Sequence, residues 1–332
     1  MEKKKMFMAL TVVLVIVAAA IGAVLLMGSD DGETNGVKIL TLKKDSNSQE
    51  YSPLDADAVY NGSYPLARYL YLYTDGIPTG EVYQWLNFIL NESKGQDLAS
   101  DSGFYPLSSS NLTEMQAQLE GGSPAGADTS ITQMGSDTMH ELCQLWASHF
   151  KNETGISVTI TGGGSGLGIA QFVQGGVDVA QASRQIKPSE IETAESNGID
   201  VVEWKVALDG IAIIVNSENK IDSLTMEQLR GIYNGTYTNW NQVGGDGAPI
   251  VLYGRNSASG TYDYFKEKAL INGEYSSSMQ QFSGNSQIVV QVEDNKGGVG
   301  YVGIGYAKEA TAAELPSDEL TAEIIAQVRL ED

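Results

Sequence analysis

Three short segments rich in glycine and hydroxyl side chains could together hold a tetrahedral anion. They are residues 135–138 (GSDT), 162–166 (GGGSG) and 259–261 (SGT). In each, a predicted strand ends in a turn where a predicted helix begins. Glycine lets the backbone approach a ligand closely, and the first amides of a helix are unpaired donors at the positive end of its dipole. The segments therefore predict short-range hydrogen bonds to an oxyanion.

Side chains add to these backbone donors. Ser165, Ser259 and Thr261 carry hydroxyl groups, and Arg255 can present a planar fork of donors to an oxyanion. Such a set would hold a dehydrated tetrahedral anion without a metal or a cofactor. The glycine run is not a nucleotide P-loop because no Lys-Ser or Lys-Thr follows it. It also lacks the full dinucleotide-binding fingerprint.

Composition excludes several classes of function. The chain has 332 residues, with 42 acidic against 20 basic side chains and a formal net charge of −22. Such a surface repels nucleic acid, so we predict no nucleic-acid partner. The single cysteine, Cys143, excludes a cysteine-based zinc site, and His140 and His149 are too few to replace one. Neither histidine lies near a nucleophile-elbow motif, which argues against Ser-His-Asp catalysis. We predict that the chain is not an enzyme.

The N-terminus predicts a membrane anchor. Lysines at positions 3–5 precede an apolar run, residues 6–27, and a polar spacer that extends to residue 35. At about 1.5 Å a residue the run would be roughly 33 Å long, enough to cross a bilayer core of about 30 Å. The lysines should remain inside and the rest of the chain outside the cytoplasm. The alternative is a cleaved signal peptide, which would make the protein secreted.

Strands and helices alternate after a polar linker at residues 121–130, which indicates parallel α/β sheets. From residue 135 to 306 the chain resembles the periplasmic phosphate-binding subunit of the phosphate ABC transporter. Seven blocks in the family's order carry this resemblance: GSDTM (135–139), GGGSGLGIAQF (162–172), VDVAQASR (177–184), LDGIAIIVN (208–216), TYTNW (236–240), YGRNSASGTYDYF (253–265) and GGVGYVGIGY (297–306).

The resemblance implies a two-lobed α/β periplasmic-binding-protein fold, type II-like, with the ligand in the cleft between lobes. It implies extracytoplasmic binding of inorganic phosphate and delivery to the permease subunits of an ABC importer. The phosphate contacts that it implies are Asp137, Thr138, Ser165, Ser183, Arg184, Arg255, Ser259, Gly260 and Thr261. The alternatives are a membrane-anchored phosphate sensor, a binder of sulfate or molybdate, and a phosphatase. A phosphatase would need a metal cluster or an activated nucleophile, and the sequence shows neither.

Two positions depart from the family pattern. Asp137 replaces a threonine of many relatives, and Arg184 replaces an aspartate of some. A carboxylate acceptor lets such a site take the proton of HPO4(2−) and reject sulfate. That acceptor is Asp137 or, as the alternative, Asp209. Each residue also has a purely structural interpretation: a helix N-cap for Asp137, a salt bridge for Arg184 and a strand-end hydrogen bond for Asp209.

The order of the segments predicts a circular permutation. Residues 61–107 resemble the C-terminal part of the family, yet they precede the first glycine turn. Joining the old termini through residues 121–130 explains this order, because domain termini usually lie close together at the surface. We therefore predict one lobe from 36–207 with 302–332, in which 37–120 resembles the family's C-terminal part. The other lobe is predicted at 208–301, with hinge strands near Asp209 and Gly300.

Overall fold

The computed structural model describes residues 36–125 and 130–312. The predicted membrane helix at 6–27 and the tail after residue 308 lie outside the residues whose side chains are described. In the described part of the chain, no helix combines the length and the apolar character needed to cross a membrane. Strands and helices alternate along it, which confirms the predicted mixed α/β class.

Eleven strands within the described residues form one hydrogen-bonded sheet. They are β1 (Val37–Lys43), β2 (Glu50–Tyr51), β3 (Ala67–Asp75), β4 (Ser130–Gly135), β5 (Ser157–Thr161), β6 (Val179–Ala182), β7 (Val201–Asn216), β8 (Ser223–Thr225), β9 (Val251–Arg255), β10 (Gln280–Phe282) and β11 (Gly298–Gly303). The helices are α1 (Ala56–Tyr60), α2 (Gly80–Ile89), α3 (Asp97–Asp101), α4 (Ser109–Leu119), α5 (His140–Thr154), α6 (Ser165–Phe172), α7 (Pro188–Ser196), α8 (Met226–Tyr233), α9 (Gly260–Lys268), α10 (Asn285–Glu293) and α11 (Ile304–Ala312).

The long strand β7 joins two halves of this sheet. Its residues Val201–Gly210 pair with β3, which continues to β6, β4 and β5; these strands are the first sheet half. Its C-terminal residues pair with β11, which continues to β9 and β10; these strands, with β1, β2 and β8, are the second sheet half. Every side chain from Val206 to Asn216 is buried. A continuous apolar run is the pattern expected for a strand covered on both faces.

The position of β1 differs from the sequence prediction. Residues 36–207 were predicted to lie in one lobe, but β1 pairs antiparallel with the C-terminal end of β7 and parallel with β8. It therefore belongs to the second sheet half. Its buried side chains Val37, Leu40 and Leu42 find their apolar cover there. Residues 67–119 do lie with the first half, where β3 pairs with β6 and Trp85 donates to Gln133 at 2.8 Å.

The parallel strands place the glycine and hydroxyl segments at two sheet edges. In the first half, β4, β5 and β6 are parallel. In the second half, β9, β10 and β11 are parallel. The carboxyl ends of parallel strands share one edge, which is where α/β folds usually bind ligands. The turns after β4, β5 and β6 therefore meet in the first half, and those after β9 and β10 meet in the second.

Candidate anion-binding site

Hydroxyl groups from both sheet halves meet in one buried cluster. The Oγ1 atoms of Thr138 and Thr261 lie 2.8 Å apart, across the two halves. The Oγ of Ser165 lies 3.4 Å from that of Ser183 and accepts from the Ser183 amide at 3.1 Å. All four residues are buried. The structure thus brings together hydroxyls that the sequence placed in four separate segments.

Gly260 lets the second sheet half approach this cluster. A Cβ atom at this position would lie 2.3 Å from the Oγ of Ser165 and 2.7 Å from that of Ser183. Contacts that short do not occur between real atoms, so a side chain here would displace Ser165 and Ser183 or push the two halves apart. Ser259, immediately before it, accepts from the Thr261 amide at 3.1 Å and so caps α9. Its hydroxyl proton stays available for donation.

The glycine run of the first half is shaped by a second close contact. Gly164 has φ +94°, a left-handed conformation that favours glycine. Its amide donates to the Gly135 carbonyl at 2.9 Å, and a Cβ on it would lie 2.1 Å from the Ala258 carbonyl oxygen. The Gly166 amide donates to that same carbonyl at 3.4 Å. The two sheet edges are therefore in backbone contact beside the hydroxyl cluster.

Arg255 brings positive charge to the second edge. Its side chain is fully buried, and Nη2 donates to the Ser283 carbonyl at 2.6 Å and to Asp137 Oδ2 at 3.1 Å. Burial lowers the pKa of Arg255, an effect that the charge of Asp137 opposes, and the guanidinium remains protonated. Its Nε and Nη1 atoms are buried without a partner in the described chain. Buried donors without acceptors are costly, and an oxyanion would supply acceptors.

Asp137 links the two edges rather than capping a helix. Its Oδ1 accepts from the Gly163 amide at 2.8 Å, while Oδ2 accepts from Arg255. A short 3-10 helix, Asp137–Met139, begins here and receives no side-chain cap. The N-cap interpretation of Asp137 is therefore not what the structure shows. The carboxylate lies between the glycine run and the guanidinium, next to the unpartnered donors of Arg255.

Asp209 forms a buried ion pair with Arg68. Its Oδ2 accepts from Nε and Nη2 of Arg68 at 3.0 and 2.7 Å, and its Oδ1 accepts from the Ile304 amide at 2.9 Å. Arg68 also donates to the Ser183 carbonyl at 2.8 Å and to Thr261 Oγ1 at 2.9 Å. Arg68 thus touches residues of both sheet edges.

Sequence reasoning missed Arg68 as a site residue. The aromatic alternation of residues 64–73 predicted a strand, and the arginine within it attracted no functional interpretation. A usable signal was present, because arginine is almost never fully buried unless it is paired. A lone arginine in an apolar strand therefore indicates a buried acidic partner. Further buried atoms without a hydrogen-bond partner among the described residues include the Ser136 hydroxyl, His140 Nδ1, Arg184 Nε and both polar atoms of Asn285.

Arg184 is a correction to the predicted set of phosphate contacts. Its Nη1 and Nη2 donate to the two carboxylate oxygens of Glu190 at 2.9 and 2.8 Å, and its Nε lies 3.0 Å from Asp263 Oδ2. Burial would lower the pKa of Arg184, but Glu190 and Asp263 raise it overall. These carboxylates engage the guanidinium, so it does not join the hydroxyl cluster. The salt-bridge interpretation of Arg184 is the one that the structure supports.

No metal site accompanies the cluster. Over residues 36–125 and 130–308, no group of three or more His, Cys, Asp or Glu side chains could hold a metal ion. Cys143 is buried, and burial raises the pKa of its thiol far above the ordinary value. The donors of the site are hydroxyls, amides and guanidinium groups, which suit an anion rather than a cation.

Comparison with known proteins places this site in a family. Residues 122–329, more than half of the chain, match a family model described as a PBP superfamily domain. The chain belongs to the PBP superfamily. Its fold is accordingly periplasmic-binding-protein-like, as predicted. The matched stretch includes every residue of the predicted site.

Similar proteins within this superfamily are named for phosphate. The chain is 33% identical over 196 residues to the phosphate-binding protein PstS of Pseudomonas aeruginosa, covering 55% of this chain and 61% of that protein. It is 35% identical over 187 residues to protein SphX of Synechococcus elongatus, covering 54% and 55%. The chain thus matches less than two thirds of the length of these curated relatives.

A solved structure shows a sequence identity similar to that of these relatives. It is a putative phosphate ABC transporter substrate-binding protein with bound phosphate from Clostridium perfringens, with a TM-score of 0.50 and 31% identity. The match covers 55% of this chain and 73% of that one. Together these relatives confirm the predicted resemblance to the phosphate-binding subunit of phosphate ABC transporters.

Proposed function

We propose that this chain binds inorganic phosphate outside the cytoplasm and delivers it to the permease subunits of an ABC importer. The proposal rests on one observation: hydrogen-bond donors from both sheet halves lie together in a buried cluster. Thr138, Ser165 and Ser183 come from the first half, and Thr261 and Arg255 come from the second. The names of the similar proteins supply the ligand and the transport role.

The two sheet halves would act as the two lobes, with phosphate between their carboxyl edges. The contacts of Thr138 with Thr261 and of Asp137 with Arg255 correspond to a closed arrangement. The acidic surface repels an anion at long range, so affinity must come from short-range donors. Because Asp209 offsets Arg68 and Asp137 offsets Arg255, hydroxyl and amide dipoles would supply much of the binding.

Asp137 is the proposed acceptor of the phosphate proton. Both carboxylates already accept hydrogen bonds on both oxygens. Asp137 nevertheless lies beside the unpartnered donors of Arg255 and its side chain is 27% exposed, whereas Asp209 is fully buried in an ion pair with Arg68. Ser259 and Gly260 would contribute a hydroxyl and a close backbone approach. The function requires no bond to be broken, so we propose a binding protein without catalytic activity and without a cofactor.

Residues 6–27 would tether the protein to the membrane, with the binding fold outside. The circular permutation is part of the same proposal. The family match begins at residue 122, while β3 and the helices near it complete the first sheet half from earlier in the chain. This is the arrangement expected when the family's C-terminal part precedes its first glycine turn.

Calorimetric titration of the purified full chain with phosphate, arsenate, sulfate and molybdate tests the function. We expect one tight site for phosphate and arsenate, and much weaker binding of sulfate and molybdate. A preference for sulfate or molybdate would assign the site to another oxyanion, and no binding would refute the proposal. Release of phosphate from an aryl phosphate ester would indicate a phosphatase. Phosphate uptake by vesicles that contain the permease would separate delivery from sensing.

A further inference from the structure

We infer that Asp263 is a positioning residue that ties the two halves of the phosphate site together and slows phosphate release. The inference rests on the proposed function, because it concerns the same site. Asp263 lies on α9, two residues after Thr261. Its Oδ2 lies 3.0 Å from Nε of Arg184 and 2.9 Å from Nζ of Lys187, both in the first sheet half. Arg184 in turn directly follows Ser183 of the hydroxyl cluster.

Arg184 and Lys187, the first-half partners of Asp263, are held in place by Glu190. Glu190 grips the guanidinium of Arg184 with both oxygens, and the Lys187 amide donates to Glu190 Oε2 at 2.8 Å. Burial would raise the pKa of Glu190, but the hydrogen bonds from Arg184 and from the Lys187 amide lower it overall. Bidentate pairing fixes the orientation of an arginine side chain. The guanidinium of Arg184 is therefore held at ion-pair distance from Asp263, without a hydrogen bond from Nε, and the hydrogen bond to Asp263 Oδ2 comes from Lys187 Nζ.

Charge balance makes the bridge favour closure. On the first-half side, the bridge consists of Arg184, Lys187 and Glu190. Without Asp263, this group has two positive side chains and one negative side chain. The Arg184 side chain is only 6% exposed, so its surplus charge is poorly hydrated. Asp263 restores neutrality when the halves are together. Separation of the halves would remove this compensation, which is why the bridge should resist opening.

The bridge can be changed without touching the proposed anion contacts. Arg184, Lys187 and Asp263 line a cavity of about 660 Å³, and its lining includes none of the residues of the hydroxyl cluster. The Asp263 side chain is 27% exposed, so salt can screen the pair in part. The bridge forms only when the halves are together, so its disruption should increase the rate of phosphate release and leave association nearly unchanged.

The test compares Asp263→Asn with Glu274→Gln in the full chain. Glu274, which follows α9 in the chain, pairs with Lys266 of α9 at 2.8 Å, so this pair lies within the second half. Stopped-flow measurement should show phosphate release about tenfold faster for Asp263→Asn, with a matching rise in Kd. Glu274→Gln should behave like the wild type. Asp263→Glu, which keeps the charge, should recover part of the slow release.

Raising the salt concentration should accelerate release from the wild type more than from Asp263→Asn, since only the wild type has the bridge to screen. Equal release rates for Asp263→Asn and Glu274→Gln would overturn the inference. Lys187→Met is the second variant, for the case in which Asp263→Asn does not fold. The Lys187 side chain is 51% exposed, so its substitution should not disturb folding. Lys187→Met should release phosphate about two- to threefold faster than the wild type, and an unchanged rate would overturn the inference. A wild-type chain that does not bind phosphate would refute the proposed function itself.

Discussion

The hydroxyl groups of Thr138 and Thr261 share a hydrogen bond, with their Oγ1 atoms 2.8 Å apart, and the two residues come from different halves of the sheet. Thr261 also accepts from Arg68 at 2.9 Å. Thr261→Val keeps the shape but removes this hydroxyl, leaving Arg68 with an unpaired donor and the anion with one donor fewer. A hydrogen bond to a charged group contributes about 1.5–3 kcal/mol. We therefore expect phosphate affinity to fall at least tenfold by calorimetry.

Thr193→Val on α7 is the matched control for this change. Its exposed hydroxyl donates to the Ser189 carbonyl of the same helix and makes no contact with the hydroxyl cluster. It should leave phosphate affinity unchanged. If Thr261→Val and Thr193→Val bind phosphate equally well, Thr261 does not contact the anion.

Arg255→Ala should weaken phosphate binding by at least thirtyfold. Removal of one partner from a buried charged interaction costs about 2–5 kcal/mol. Arg255→Lys keeps the charge but loses the planar fork, so it should recover only part of the affinity. Titration of both variants against the wild type measures the loss. Near-native affinity in Arg255→Ala would exclude this residue from the site.

Gly260→Ala tests the close approach of the two edges. The added Cβ would lie 2.3 Å from the Ser165 hydroxyl, so either this hydroxyl leaves its place in the cluster or the halves move apart. We expect a large loss of phosphate affinity with little change in thermal unfolding of the phosphate-free protein. Gly247→Ala is the control, because a Cβ there would meet nothing within 4 Å. Equal affinities for the two variants would show that the edges do not close on the anion at Gly260.

Asp137→Asn tests the origin of selectivity. A desolvated carboxylate next to a doubly charged anion is costly unless a proton lies between them. HPO4(2−) supplies that proton at neutral pH and sulfate does not, so Asp137 should repel sulfate. The Asn variant should bind phosphate more weakly. The difference between its affinities for phosphate and for sulfate should be smaller than in the wild type, as measured by competition titrations at pH 7.5.

Unchanged discrimination in Asp137→Asn would leave Asp209 as the acceptor to examine. A direct substitution of Asp209 is a less specific experiment. It would leave Arg68 as an unpaired buried charge, and breaking a buried pair in this way costs about 3–5 kcal/mol of folding free energy. Loss of binding in such a variant would therefore mix a site effect with a stability effect.

The local parts of the site were predictable because each follows from a short stretch of sequence. A glycine run between a strand and a helix specifies a turn with exposed amides, and the Arg255 to Thr261 segment carries its hydroxyls and charge together. The partners of these groups were not predictable in the same way. Arg68 reaches Asp209 across 141 positions of sequence, and Arg184 reaches Asp263 of the other half. An ion pair of this kind depends on which strands become neighbours.

The same reason explains the error over β1. Its apolar residues predicted a strand but not which edge of β7 it would join, since either half offers a buried apolar surface. Strand pairing between distant segments is decided by the whole arrangement of the sheet. The fold class therefore followed from local patterns, whereas the division of the chain between the halves did not.

The shared strand β7 has a consequence for how the molecule loses its structure. Because β3 and β11 both bond to this one continuous strand, neither half has a complete set of backbone hydrogen bonds without it. If β7 separated from the strands of one half, its backbone groups there would lose their hydrogen-bond partners. Unpaired backbone groups are costly in a buried strand. We expect the described region to melt as a single cooperative unit, with calorimetric and van't Hoff enthalpies that agree.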